Sequence, residues 1–269
     1  MDYKLVLSDI DETLLNDEGQ LLSSTAKSIH DLVESGILFS TVTARTISYA
    51  DDGISGLAGL CAARAYCNGA YIEAANGIVL SDKPLEGEEV AFLVYQLFQS
   101  RASFGCVSKN DVVAKIVDPK AAVGIRKHHG TFNEKTELDG FELETYLIAA
   151  EAEDLRSVAE IASNQLTEVE ISPITASRTT GLQNAFFQKT GTNKGTAMRI
   201  IAKHYGIALS QTVAFGDSDL NDGSMIQAAG CGVAMKNADE VLRRKARYIR
   251  DKDNNEDGVG DFLRAMFHL

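Results

Sequence analysis

A short apolar run, Tyr3 to Leu7, stops abruptly at Asp9-Ile10-Asp11-Glu12-Thr13, and the same arrangement of apolar strand and polar end returns towards both ends of the chain. A run this short and this apolar predicts a strand buried on both faces, the kind that parallel sheets contain. Helical spacing of Ala26, Ile29, Leu32 and Val33 follows, with Ser24 placed to cap the helix and Gly36 to stop it. A second strand, Ile37 to Val42, ends in Thr43-Ala44-Arg45, and a hairpin is expected around Asn76-Gly77. In the last segment, Thr196 to Tyr205 reads as a helix and Thr212 to Phe215 as a strand ending in Gly216-Asp217. Met225 to Ala229 reads as a helix and Cys231 to Ala234 as a further strand. Such alternation predicts an α/β fold: a doubly wound, Rossmann-like parallel sheet covered on both faces.

The middle of the chain has another rhythm. Amphipathic helices at Glu88 to Ser100 and Asp154 to Leu166 accompany alternating strands at Val112 to Val117, Thr145 to Ala150, Thr167 to Ile171 and Ala185 to Gln188. That pattern predicts an α+β unit with one sheet face covered. We therefore expect a core from residues 1–83 and 189–269 and an inserted α+β cap domain at 84–188, closing over the core's crevice. Pro84 and Thr190-Gly191-Thr192 are the expected hinges.

With 269 residues, 45% of them hydrophobic and 24% charged, the chain can build two compact units. A net charge of −12 disfavours nucleic acid as a partner, because an acidic surface repels phosphate backbones. Small anionic substrates remain compatible, since a divalent cation reverses the local sign. No apolar stretch is long enough to span a membrane and the start does not read as a signal peptide, so the expected location is cytoplasmic. Cys61, Cys67, Cys106 and Cys231 lack paired spacing and read as buried reduced thiols. His128-His129 reads as a solvated loop rather than a metal site, as does the acidic stretch from Asp251 to Asp257, which lacks the calcium-loop ladder of ligands.

Open α/β sheets bind ligands outside the carboxyl ends of their strands. Four pieces are due there: Asp9-x-Asp11-x-Thr13, Thr43 with Arg45, Lys194, and Gly216-Asp217-Ser218-Asp219-Leu220-Asn221-Asp222. Each has a plain alternative, a turn for the acids or a solvated surface position for the lysine. Gly216 is expected to let the backbone come close to a ligand. The ordered set is far more specific than any one piece.

On these motifs the chain resembles the haloacid dehalogenase superfamily, in its Cof-like phosphatase branch with a large (class IIB) cap. DxDxT matches the first motif, Thr43 the second, Lys194 the third, and Asp217 with Asp222 the acidic fourth. Asn68-Gly69-Ala70 and Gly232-Val233-Ala234-Met235-Lys236-Asn237-Ala238 also resemble that branch. The resemblance implies Asp9 as nucleophile, forming an aspartyl-phosphate, with Asp11 as general acid and base and Lys194 as the compensating cation. It implies Thr13 and Thr43 on the phosphate oxygens, and Mg²⁺ held by Asp9, the carbonyl of Asp11 and Asp217, with Asn221 and Asp222 at or just behind the metal shell. Arg45 is placed to reach substrate, or equally to form a structural ion pair. Asn68 is a substrate contact or simply an Asx turn with Gly69.

Four departures stand out, one of them the spacing from Asp217 to Asn221, one residue longer than is common in the branch. Glu12 occupies a position that is commonly glycine in the branch, Ala44 another, and Asp219 adds a carboxylate. The implied activity is Mg²⁺-dependent hydrolysis of a small phosphorylated metabolite, with sugar phosphates foremost. A phosphosugar mutase or phosphotransferase, and a ligand-binding regulator that has lost turnover, stay open as alternatives.

Overall fold

The computed structural model describes residues 2–57, 59–141, 144–177 and 180–269; at 127–129 only the backbone is described. The first segment supplies β1 (Leu5–Ser8), α1 (Ser23–Glu34), β2 (Leu38–Val42), the short α2 (Ile47–Ala50), β3 (Cys61–Tyr66), β4 (Tyr71–Ala74) and β5 (Val79–Asp82). The middle supplies α3 (Gly87–Gln99), β6 (Ser103–Val107), β7 (Val112–Lys115), α4 (Pro119–His129), β8 (Asn133–Glu134), β9 (Leu147–Ala152), α5 (Arg156–Gln165), β10 (Val169–Ile171), β11 (Thr175–Ala176) and β12 (Gln183–Lys189). The last supplies α6 (Lys194–His204), β13 (Thr212–Gly216), α7 (Asp219–Ala228), β14 (Cys231–Ala234), α8 (Glu240–Lys245), β15 (Tyr248–Ile249) and α9 (Gly258–Phe267).

The chain divides into two compact units. One comprises Met1–Thr43, Asp51–Ser81 and Asn193–Leu269; the other comprises Ala44–Ala50 and Asp82–Thr192. The excursion Ala44–Ala50 departs from the expected boundaries, because its hydrogen bonds lie within the second unit. Ile47 N–H donates to the Lys109 carbonyl at 2.8 Å, and Ser48 Oγ to that of Asn110 at 2.7 Å.

In the first unit the strand order is β15-β14-β13-β1-β2-β3-β4-β5. Pairing is parallel from β15 to β3, and β4 returns antiparallel to β3. Sequence order runs outward from β1 in both directions, so β1 is the topological switch point, where such sheets open a crevice. Period-two alternation sorts β1 between the layers. Val6 packs with Ile29 and Leu32 of α1 and Val259 and Phe262 of α9, while Leu5 and Leu7 pack with Met198 and Ile201 of α6 and Met225 of α7.

The second unit is a mostly antiparallel sheet in the order β10-β12-β9-β6-β7-β8, with β11 pairing β12. Phe104, Ile148 and Phe187 on one face pack against Leu93 and Leu97 of α3 and Val158 of α5. Contrary to the one-face expectation, α4 lies against β6 on the other side. There Gly105 leaves room for Ile125, whose Cδ1 would be 3.7 Å from a Cβ at that position. Gly124 interrupts the apolar pattern of α4; the local signals for that helix are Asp118, which accepts from Lys120 N–H at 2.8 Å, and Pro119 in its first turn.

Other local expectations are adjusted in detail. Ser24 lies inside α1, whose N-cap Leu22 makes no side-chain cap bond. Helix α7 begins at Asp219, several residues before its apolar signal at Met225, so Asn221 and Asp222 ride on a helix. His128-His129 closes α4 in the backbone, and the side chains lie outside the described residues. All four cysteines are buried and unpaired with one another. The acidic stretch after β15 is a structural knot. Asn254 Nδ2 donates to the Leu15 carbonyl at 2.9 Å, and Asp257 accepts from Thr25 Oγ1 at 2.6 Å and Arg264 at 2.7 Å. Among the described residues, no helix is long and apolar enough to cross a membrane.

Candidate active site

Because β13, β1, β2 and β3 run parallel, their carboxyl ends share one sheet edge. In register, Ser8 pairs with Phe215 on one side and Thr41 on the other, so the residues that follow arrive there together. Asp9 N–H donates to the Phe215 carbonyl at 3.1 Å, which seats it beside Gly216 and Asp217. Asn68 N–H donates to the Thr43 carbonyl at 2.9 Å, joining the ends of β2 and β3. Lys194 opens α6, capped by Asn193, which accepts from Thr196 N–H at 2.9 Å. The start of that helix is packed tightly. A Cβ on Gly69 would lie 2.9 Å from the Asn193 carbonyl oxygen, and Gly69 itself has a φ of +93°.

Lysine at a helix N-terminus is disfavoured by both the dipole and burial. Here Lys194 is 1% exposed and lies 2.6 Å from Asp9 Oδ1 and 2.8 Å from Asp222 Oδ1. Burial opposes its charge, but Asp222 and Asp9 more than offset this and push the ammonium pKa up. Asp222 is fully engaged. Its second oxygen accepts from the Asp217 and Ser218 N–H groups, both at 3.0 Å. Gly216 makes this possible, since a Cβ there would lie 2.5 Å from Asp222 Cβ. The close approach that glycine permits here is to a carboxylate of the protein's own.

One ligand oxygen each from Asp9, Asp217 and Asp222 lies within 4.8 Å of the others. Among the described residues, three buried carboxylates gather about the Lys194 ammonium, which contacts two of them. Asp9 registers their proximity: burial, then the charges of Asp222, Asp217 and Asp11, hold its carboxyl well above the usual range despite the pull of Lys194. An all-oxygen donor set fits a hard divalent cation such as Mg²⁺.

The remaining expected residues fall as follows. Asp11 is half-buried and close enough to act on Asp9 electrostatically. Thr13 donates Oγ1 to Asp217 Oδ1 at 3.1 Å, which ties the first loop to the β13 end. Thr43 is buried at the end of β2. Asn221 accepts from Asn68 Nδ2 at 3.4 Å, while Asn68 Oδ1 is buried without a partner. Arg45 belongs to the second unit, where its guanidinium sits 4.7 Å above the Tyr49 ring and donates to the Tyr49 carbonyl at 3.3 Å. Asp219 forms no part of the acidic cluster, because Lys245 holds it at 2.7 Å. Among the cationic side chains of the second unit, Lys109 is paired with Asp82 at 2.8 Å and Lys115 lies 3.9 Å above the Phe98 ring. The side chains of Lys127 and His128, and all of Arg178, lie outside the described residues.

Two residues carry roles that the sequence did not assign, Asp239 outside every motif and Asn237 within the stretch Gly232 to Ala238 that resembles the branch. Asp239 accepts from Asp219 N–H at 2.6 Å and Leu242 N–H at 2.8 Å, and its own N–H donates to the Asp217 carbonyl at 3.0 Å. Asn237 donates to the Glu12 carbonyl at 2.8 Å. The signal they share is their place just past an apolar strand.

Comparison with known proteins follows this geometry. Residues 6–263 match the family model of the haloacid dehalogenase-like hydrolases. Over 98% of this chain and 96% of its own length, a 5-amino-6-(5-phospho-D-ribitylamino)uracil phosphatase of Bacillus subtilis is 28% identical. An HMP-PP phosphatase of Yersinia enterocolitica is 26% identical over 97% of this chain and 94% of its own. A solved subclass IIB sugar phosphatase superposes with a TM-score of 0.80 at 21% identity, over 99% of this chain and 100% of that one, a likeness of fold.

Proposed function

The chain belongs to the haloacid dehalogenase-like hydrolase family, an enzyme of the phosphatase kind, and from that premise we propose Mg²⁺-dependent hydrolysis of a small sugar-type phosphate monoester through an aspartyl-phosphate on Asp9. The observation that carries this reading is Lys194, buried between Asp9 and Asp222 where Asp217 completes a close group of three buried carboxylates.

A phosphate monoester is a dianion, and the barrier to attacking it is mostly electrostatic and positional. Mg²⁺ bound at Asp9, Asp217 and the Asp11 carbonyl would supply the charge that lets two anions meet. Lys194 holds Asp9 Oδ1 and stabilises the ionised carboxylate, leaving Oδ2 to attack phosphorus. As the bond from phosphorus to the ester oxygen breaks, Asp11 gives its proton to the departing alkoxide. Asp11 then takes a proton from the water that attacks phosphorus and frees Asp9. Thr43 and Lys194 bear on the non-bridging oxygens. Asp222 acts through Lys194 and the β13 turn, since both of its oxygens are engaged. Full-length relatives whose names specify phosphorylated small molecules support the substrate class.

The test is phosphate release from an aryl phosphate and a sugar-phosphate panel, with Mg²⁺ and with chelator. Turnover is expected only with the metal, and Asp9→Asn should lower it by at least about 10³-fold, the scale on which a nucleophile's removal acts. Wild-type rates from Asp9→Asn would sink the proposal. Transfer of phosphate between sugar positions without its release would favour the mutase.

A further inference from the structure

Glu12 sits between Asp11 and Thr13 with a φ of +56°, in the left-handed region that residues with a Cβ avoid. Its own side chain therefore favours leaving the conformation in which the loop is found. A contact from the far end of the chain opposes that escape: Asn237 Nδ2 donates to the Glu12 carbonyl at 2.8 Å. We propose that Asn237 is a positioning residue for the phosphatase reaction, holding the strained Glu12 backbone so that Asp11 and Thr13 point in the directions the chemistry needs.

Three observations converge. The turn bearing Asn237 is fixed to the site's own backbone, since Met235 N–H donates to the Gly216 carbonyl at 3.1 Å and Asp239 N–H to the Asp217 carbonyl at 3.0 Å. The clamp thus transmits the position of Asp217 to the Asp11-Glu12-Thr13 turn, and Thr13 Oγ1 closes the loop by donating to Asp217 at 3.1 Å. Asn237 Oδ1 is buried with no hydrogen-bond partner, so the side chain is seated for the bond its nitrogen makes rather than for full satisfaction of its own amide. Finally, the clamp holds the residue whose backbone has most reason to relax. Glycine at position 12 would occupy the left-handed region unaided.

This inference rests on the phosphatase reading, and the experiment separates the two. Asn237→Ala, Glu12→Gly and the double variant are compared by kcat and KM at saturating Mg²⁺, and by hydrogen exchange of the amides at residues 12 and 13. Asn237→Ala alone should lower kcat by roughly 10–10²-fold with little change in KM, as a misplacement of about 1 Å does. It should also speed exchange at both amides. In the Glu12→Gly background the same substitution should lower kcat by no more than about a quarter as large a factor, as expected for coupled neighbours. Should Asn237→Ala fail to fold, Asn237→Asp keeps the shape without the donor and takes its place. Equal losses in both backgrounds, or a kcat and exchange rate unmoved by Asn237→Ala, would overturn the proposal. If the wild-type protein hydrolyses no phosphate ester, the functional reading fails, and the exchange measurement still decides whether the clamp exists.

Discussion

Each unit of the molecule sets a lysine between two carboxylates, and the two arrangements move their acids in opposite directions. Lys194 in the first unit is 1% exposed, 2.6 Å from Asp9 and 2.8 Å from Asp222, yet Asp9 is pushed up. Lys109 in the second unit lies 2.8 Å from Asp82 and 3.7 Å from Glu144 with its side chain 27% exposed. Burial opposes the Asp82 charge as well, but hydrogen bonds from Lys109 and from Tyr146, at 2.7 Å, bring its carboxyl below the usual range. The components are alike. What differs is access to water and the balance of charge, since among the described residues Lys194 meets two acids of a buried group of three. That difference separates a site from a tie between elements, a distinction that the presence of an ion pair alone does not make.

The sharpest way to break the comparison is to remove each lysine. Lys194→Met leaves buried carboxylates uncompensated and should destabilise the protein by about 3–5 kcal/mol in chelator, as measured by urea unfolding, with partial recovery in Mg²⁺. Lys109→Met should lose no more than about 1 kcal/mol, the range of partly exposed pairs. Equal losses would show that burial is not what distinguishes them.

A pH series sharpens the contrast, because the two carboxylates are linked to stability with opposite signs. Asp9 is raised in the folded state, so its contribution is full below the unfolded carboxylate value near 3.9 and is lost as pH rises through its folded pKa. Asp82 is lowered, so its contribution is present above that unfolded value and disappears as pH falls through its folded one. In chelator, Asp9→Asn should flatten the fall in melting temperature on the alkaline side of this window, and Asp82→Asn the fall on the acid side. Apparent Mg²⁺ affinity should also rise with pH, since a proton on Asp9 competes with the cation. An affinity independent of pH between about 4 and 8 would contradict the assignment. An effect as small as that of Lys109→Met is expected from Tyr146→Phe, which removes one hydrogen bond to Asp82 and should shift unfolding by about 1 kcal/mol.

How much of this was readable beforehand follows from the range of the interactions involved. Periodicity and strand ends are local, so the parallel sheet and the convergence of Asp9, Lys194, Asp217 and Asp222 at one edge could be read directly. Helix α7 starts on the polar run Asp219 to Asp222 itself, which hid the double engagement of Asp222 with Lys194 and with the turn before it. The partner of Thr13 is 204 residues away and that of Glu12 is 225, distances over which spacing carries no information. Arg45 is two residues from Thr43 in the chain, yet hydrogen bonds to Lys109 and Asn110 draw its segment into the other unit. The left-handed backbone at Glu12 was hidden for another reason, because glutamate gives no hint of a conformation that glycine would have advertised.

Gly216 has no functional group, yet a Cβ there would lie 2.6 Å from the Cγ and Oδ2 of Asp222. The chemistry therefore has a point of failure outside its list of ionisable residues. A single methyl group at that position would displace Asp222 from Lys194 and from the amides at 217 and 218, while the sheet and its helices keep their hydrophobic contacts. Gly216→Ala should therefore keep its full complement of acids and lysine and still lose phosphate release.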